Sequence, residues 1–348
     1  MNDSRRHAGS LSRRRFLGVT LGAGISGSAG LLSACSSGGN SSGSSSRLPT
    51  VNIVNTSATG AIAISHLLDA GGYFKSFGVN ATITNVNAGN QVVAAVASGS
   101  ADITMLSGLI SVFPALDKGL SLKVLGGTEV VSTSAIFTGD QAVQSLSDLG
   151  GKSIGVGAVG SELYDVFVAL LAKYNVPRSS VTFRNVGSSA DSFEAVLAKQ
   201  IDVGYGQVGN QAAAAKKGVR MIATVDKELP LWINQGAVAS ASAVAGKREA
   251  LVRVLAAHAK LFTYLATAPS KAPYASAYVA AGGSTAEAEE EWQFLNQNVA
   301  YSPTLDLPED KLNFIQQQNV DNGTQQKILA FDSYTDFSLR SDALALLK

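Results

Sequence analysis

Few side chains in this chain have the type and spacing that catalysis needs. There are three histidines: His7 near the N-terminus, and His66 and His258 on stretches that read as helices. The latter two are expected to be surface or packed residues. Cys35 is the only cysteine. A disulfide within the chain and a cysteine metal cluster are therefore excluded. No His-Glu-x-x-His occurs, and no Gly-x-Ser-x-Gly elbow stands between a strand and a helix. Val156-Gly157-Ala158-Val159-Gly160-Ser161 is a strand–loop–helix glycine turn, but it lacks the spacing and the Lys of a phosphate loop. No catalytic residue, metal or cofactor is expected.

Binding has better support. In open α/β sheets, ligands lie beyond the carboxyl ends of the strands. Four loops stand at such ends: Asn55, Thr56, Ser57, Ala58 and Thr59; Ser107 and Gly108; Gly157, Gly160 and Ser161; and Gly206, Gln207 and Asn210. Hydroxyls and backbone N–H groups at helix starts suit an anion or a polar group. Each such Ser or Thr is equally readable as an ordinary helix cap. The loops hold no Arg or Lys; Arg184 falls in a strand pattern and Lys152 just before one. The expected ligand is small and neutral or singly charged, such as a sulfonate held by helix N-termini. Trp232 and Tyr164 are candidates for an apolar wall or for core.

The elements that must position these loops follow a strand–helix rhythm. Thr50-Val51-Asn52-Ile53-Val54-Asn55 alternates as a strand, and 61–70 reads as a helix closed by Gly71-Gly72. Strands at 79–84, 101–106 and 122–125 alternate with helices at 90–97 and 109–116. The rhythm restarts with strands at 153–157, 181–186, 202–205 and 219–224 and helices at 162–173, 190–198 and 212–217. One more short strand is expected at 237–240. Such alternation predicts an α/β fold. Residues 95–102 echo 195–202, each a helix end, a turn and an Asp opening a strand. Ordinary helix–turn–strand grammar explains most of that echo. From 248 onward the pattern is helical (248–266, 271–281, 285–298, 309–318), an α layer expected on the first half.

The N-terminus is set aside from the fold. Ser12-Arg13-Arg14-Arg15-Phe16-Leu17 resembles the twin-arginine export signal, with Gly18 where a Lys is usual. Leu32-Ser33-Ala34-Cys35 resembles a bacterial lipobox, which implies a diacylglycerol on Cys35. Residues 1–34 thus read as a twin-arginine-type signal peptide. Residues 35–48, mostly Ser and Gly, read as a lipidated tether. Residues 1–34 carry five Arg and one Asp; removing them from 27 basic and 26 acidic residues leaves 22 and 25. Nothing in that balance points to nucleic acid.

Three segments resemble those of the sulfonate/nitrate/taurine-type branch of periplasmic binding proteins, which shares its fold with thiamine-pyrimidine synthases. They are Gly71-Gly72-Tyr73-Phe74-Lys75-Ser76-Phe77-Gly78-Val79, Ser98-Gly99-Ser100-Ala101-Asp102-Ile103 and Ser147-Asp148-Leu149-Gly150-Gly151-Lys152-Ser153-Ile154-Gly155-Val156. The likeness runs from about residue 50 to 265. It implies a two-lobed type II periplasmic-binding-protein fold: two mixed sheets flanked by helices, with two interlobe crossovers. Lobe I would be 49–138 plus 237–348, and lobe II 139–236. Ala135-Ile136-Phe137-Thr138 and Ala237-Val238-Ala239-Ser240 are the candidate hinges. The implied role is an exported, lipid-anchored solute-binding protein of an ABC importer, a monomer working with permease and ATPase subunits. Thr56, Ser57, Ala58, Ser107, Gly108, Gly160, Ser161, Gln207, Asn210 and Trp232 would surround the solute. An anchored sensor or adaptor remains open, as does a pyrimidine-synthase-like enzyme; the cysteine-rich iron segment of that enzyme has no counterpart here.

Overall fold

The computed structural model describes residues 48–348; the export signal, Cys35 and residues 35–47 of the tether lie outside the described residues. The ten strands among these residues are β1 Thr50–Thr56, β2 Asn80–Val86, β3 Ile103–Gly108, β4 Leu122–Gly127, β5 Ser134–Thr138, β6 Ser153–Val156, β7 Thr182–Asn185, β8 Val203–Gln207, β9 Arg220–Thr224 and β10 Gln235–Ser240. The helices of the two α/β halves are α1 Thr59–Ala70, α2 Tyr73–Ser76, α3 Gly89–Ala97, α4 Phe113–Asp117, α5 Glu162–Lys173, α6 Ser189–Leu197, α7 Gln211–Lys216 and α8 Val225–Glu228. The C-terminal layer comprises α9 Ala241–Leu265, α10 Lys271–Ala280, α11 Thr285–Asn298, α12 Glu309–Asp321, α13 Phe331–Tyr334 and α14 Ser338–Ala345.

The strands form two five-stranded sheets of matching order, β2-β1-β3-β10-β4 and β7-β6-β8-β5-β9. In each, one strand runs antiparallel to its neighbours: β10 in the first sheet and β5 in the second. Each odd strand belongs to the sheet that the chain has just entered. The first crossover is therefore 128–133 and the second 225–234. The sequence had placed the hinges at Ala135–Thr138 and Ala237–Ser240, but those residues are β5 and β10, hydrogen-bonded into central positions. Lobe II accordingly begins at Ser134, not at residue 139, because β5 pairs with β8 and β9. Alternating buried residues look alike in a crossover and in a short strand, which is why sequence alone displaced the boundary.

Burial follows position in the sheet. The inner strand β3 is buried from Ile103 to Ser107, while the outer strands β2 and β7 keep exposed residues. Covered strands need apolar side chains on both faces, and edge strands do not. One core lies between the first sheet and α1, α9 and α10, with Ile64, Leu68, Met105, Leu255 and Phe262 at its centre. A second runs from the other face of that sheet into lobe II and includes Val92, Phe113, Phe167, Tyr205 and Trp232.

The echo between 95–102 and 195–202 is a real equivalence of place. Asp102 N–H donates to Asn52 O, and Asp102 Oδ2 accepts from Asn52 N–H at 2.8 Å. Asp202 N–H donates to Ser153 O, and Asp202 Oδ2 accepts from Ser153 N–H at 2.7 Å. Asp102 thus locks the start of β1, and Asp202 the start of β6. The turns before them are left-handed at Gly99 (φ 76°) and Lys199 (φ 58°).

The C-terminal helices depart from expectation. They were expected on the first half, but they pack on both. α11 lies against α10 and also against α7 and the turn Val208–Asn210; α12 touches α4 and α5. Two shorter departures have local causes. Pro114 splits the expected helix 109–116 into a tight turn, Leu109–Ser111, and α4. The helix expected from 248 starts at Ala241, capped by Ser240 Oγ and kinked at Lys247.

Candidate functional site

The two crossovers lie side by side and are stitched together by Glu129. Its carbonyl accepts from the N–H groups of Asn234 (3.2 Å) and Gln235 (3.0 Å). Its Oε1 accepts from Thr133 N–H (3.2 Å), Thr133 Oγ1 (2.9 Å) and Asn234 Nδ2 (2.8 Å). The residue is 3% exposed. Burial pushes its carboxyl above the usual range, against these hydrogen bonds, which pull it down.

Lobe II contributes Glu162, the first residue of α5. Its Oε1 accepts from Tyr205 Oη at 2.8 Å, and the same hydroxyl lies against Ser134 Oγ. Its Oε2 approaches lobe I: a Cβ on Gly108, at the end of β3, would stand 3.5 Å from it. Burial, with the nearby charges of Glu129 and Asp165, raises the Glu162 carboxyl to about 8. The side chain is partly buried. Asp165, one turn further on, is raised to about 7 by burial and accepts from Asn322 Nδ2.

The C-terminal layer contributes Glu291 of α11. Its two oxygens accept from Tyr274 Oη (3.0 Å) and Tyr278 Oη (3.1 Å). A Cβ on Gly60, in the first turn of α1, would stand 2.8 Å from Glu291 Oε1. A Cβ on Gly209 in lobe II would stand 3.3 Å from Oε2. Two glycines thus admit one carboxyl between the lobes. Burial first, then the charge of Glu129, raises Glu291 to about 7.

The predicted residues fall around this centre unevenly. Thr56 Oγ1 donates to Leu106 O at 3.1 Å, and Ser57 Oγ donates to Asn87 Oδ1 in an exposed loop. Ala58 is the N-cap of α1 and makes no side-chain cap bond. Ser107 is fully buried, and its Oγ has no partner among the described residues. Gly108 faces Glu162, as above. Gly160 is left-handed (φ 80°) and lies near Thr324. Ser161 is the N-cap of α5, with its Oγ buried against Gly157 and without a partner among the described residues. Gln207 Oε1 lies 2.8 Å from Thr133 Oγ1, whose one proton it shares with Glu129 Oε1, and this contact ties lobe II to the crossover. Asn210 reaches away to Glu287 of α11. Trp232 is core, 2% exposed and edge-on to Phe314. Tyr164 is buried beside Phe183.

Sequence reasoning missed the three glutamates. Glu291 had a readable signal: it shares one helix face with Ala288 and Leu295, both buried, so it falls on the apolar stripe of an otherwise charged run. Glu129 is a lone acid in an apolar stretch, and Glu162 looks like an ordinary first-turn acid. A groove of about 480 Å³, lined by Lys271, Glu289, Glu290 and Trp292, lies along α11 on residues separate from these.

The fold has close counterparts among solved structures. The alkanesulfonate-binding protein SsuA from Xanthomonas axonopodis pv. citri, bound to MOPS, is 17% identical with a TM-score of 0.67, covering 82% of this chain and 98% of that one. The periplasmic nitrate-binding protein NrtA from Synechocystis PCC 6803 is 13% identical with a TM-score of 0.68, covering 86% and 89%. A DszB variant in complex with biphenyl-2-sulfinic acid is 16% identical with a TM-score of 0.63, covering 86% and 99%. These likenesses establish the two-lobed periplasmic-binding-protein fold. No curated protein matches the chain. The family described as NMT1/THI5 like matches residues 66–272, which run from α1 into α10 through all of lobe II. With more than half of its length so matched, the chain belongs to the NMT1/THI5-like family.

Proposed function

We propose that this chain is the exported solute-binding component of an ABC-type importer. The observation that carries the reading is the pair of crossovers, 128–133 and 225–234, with polar side chains of both lobes meeting beside them. Such a joint lets two rigid lobes close on a small molecule. The SsuA and NrtA neighbours are binding proteins for alkanesulfonate and nitrate, which supports a binding role over catalysis. Thr56, Ser107, Gly108, Ser161 and Gln207 are assigned to the walls of the cleft. The experiment is a melting screen paired with a distance measurement between labels on the two lobes. A true solute at 100 times its dissociation constant adds about 2.7 kcal/mol of stability and shortens the interlobe distance. Stabilisation without any change in distance would reject closure as the mechanism.

The export and anchoring part of the proposal rests on Arg13, Arg14 and Cys35. The protein is placed in the cell envelope, tethered by lipid at Cys35 and monomeric, and docks on a permease with its ATPase. Cys35→Ser is expected to move the protein from the membrane fraction to the soluble fraction. Retention of this variant in the membrane would remove the anchor.

A further inference from the structure

We infer that the interlobe site of this chain takes a small organic cation, an amine or amidine rich in N–H donors, and not an anion. The inference rests on the solute-binding reading above and names its solute class. Four observations carry it.

First, acids already occupy the helix starts that an anion would use. Glu291 lies against the first turn of α1, and Glu162 with Asp165 stands in the first turn of α5. The favourable end of each helix dipole is thereby engaged by the protein's own carboxyl groups.

Second, the polar groups left without partners around the crossovers include buried acceptors. Asn234 is 6% exposed; its Nδ2 is bound to Glu129, while Oδ1 of the same planar amide has no partner among the described residues. Gln235 Oε1, the next residue along, is likewise unpaired, as is the Ser107 hydroxyl on the strand beside it. Glu129 Oε2 and Glu162 Oε2 receive no hydrogen bond from the described residues, which leaves each free to meet a ligand. A buried acceptor without a donor is costly. The amide acceptors Asn234 Oδ1 and Gln235 Oε1, set against one amide donor unpaired among the described residues at the neighbouring strand end, Asn55 Nδ2, favour a ligand that mainly donates.

Third, no Lys or Arg among the described residues pairs with Glu129, Glu162 or Glu291. Lys311 reaches the crossover itself, where its Nζ donates to the backbone carbonyl of Val130 at 3.0 Å and to none of these carboxyls. A buried carboxyl without a cation stays protonated, and an arriving cation supplies the missing partner. Fourth, no three His, Cys, Asp or Glu among the described residues converge as metal ligands do. Acceptors spread over two lobes match a molecule of several atoms better than a single ion.

The groups that face Glu162 are Glu129 on the crossover, Asp165 on its own helix and Tyr205 on β8; Glu129 also acts on Glu291. The test uses the protein as purified from its producing cells, in calorimetric titrations with two probe sets. One set is benzamidine, agmatine and 1,4-diaminobutane; the other is ethanesulfonate, MOPS and nitrate. We expect a member of the first set to bind, Glu162→Gln to weaken it at least tenfold, and Glu289→Gln on the surface of α11 to leave it unchanged. If Glu162→Gln does not fold, the wild-type protein still decides. Binding of the cation should release a proton from the carboxyl cluster, so the observed heat should change with the ionisation enthalpy of the buffer; a buffer-independent heat overturns the inference. Tighter binding of an anion, undiminished in Glu162→Gln, also overturns it and leaves the importer reading standing. No response to either set overturns it too, and the importer reading then rests on the closure measurement with a wider panel.

Discussion

Replacing Glu291 by Ala is expected to destabilise the protein by about 3 kcal/mol, whereas Glu291→Gln should cost under about 1 kcal/mol. The side chain is 3% exposed and takes the hydroxyls of Tyr274 and Tyr278. Alanine leaves both phenols without an acceptor and opens a void against Gly60 and Gly209. Glutamine keeps the shape and one carbonyl acceptor. It also resembles the protonated acid, the form that dominates below pH 7, where burial has moved this carboxyl. A loss of that size lowers the melting temperature by roughly 5 °C or more in a domain of this length. Denaturant unfolding of the three proteins side by side is the measurement. Equal losses for Ala and Gln would mean that the negative charge itself, and not shape and hydrogen bonding, holds α1, α11 and lobe II together.

The second large effect is on pH. Glu162 is raised to about 8, and Asp165 and Glu291 to about 7, in each case mainly by burial. A carboxyl whose folded value exceeds its unfolded value binds more protons when folded. Its contribution is complete below about pH 4.5 and is lost as pH rises through 7 and 8. His258 works at the other end. Buried between Phe74 and Phe262, it is lowered to about 4, so its contribution is present above pH 6.5 and declines as pH falls toward 4. Three acids falling against one histidine rising place the stability maximum of the solute-free protein near pH 4–5. We expect it to be less stable at pH 8.5 than at pH 5.5 by on the order of 1–3 kcal/mol, with the share of Glu162 discounted for its accessible surface. Glu162→Gln should flatten that slope while leaving the melting point at pH 5 nearly unchanged. A melting point that rises from pH 5.5 to 8.5 would contradict the burial of these acids.

Much of this fold could be read from the chain because each lobe repeats one local grammar. Alternation gave β1, and glycine pairs and helical spacing gave α1, α5 and α11 with ends within a residue or two. The crossovers were harder. Ala135–Thr138 and Ala237–Ser240 read as hinges because nothing local distinguishes a strand that leaves a sheet from one that enters the next. The candidate site was legible only in outline. Ser107, Gly108, Ser161 and Gln207 are near the centre, since strand ends must point there. The buried carboxyl groups beside the crossovers come from a crossover, a helix start and a helix far along the chain. Sequence spacing carries no trace of their meeting, which depends on α11 packing across both lobes. Nor could spacing show that Glu291 and Glu162 stand against the first turns of α1 and α5.

The position of β10 has a consequence for how the molecule assembles. This strand lies between β3 and β4, yet it is synthesised after the whole of lobe II. Its pairing with β3 joins Ser107 to Gly236, a separation of about 130 residues, so the contact order of the first sheet is high. Closing so long a loop is entropically unfavourable while it is unstructured. A folded lobe II shortens it, because β5 and β9 pair at Ala135 and Thr224 and bring the two ends of the loop together. The second lobe to start is thus the first to finish, and the sheet that opens the chain is completed by its last strand.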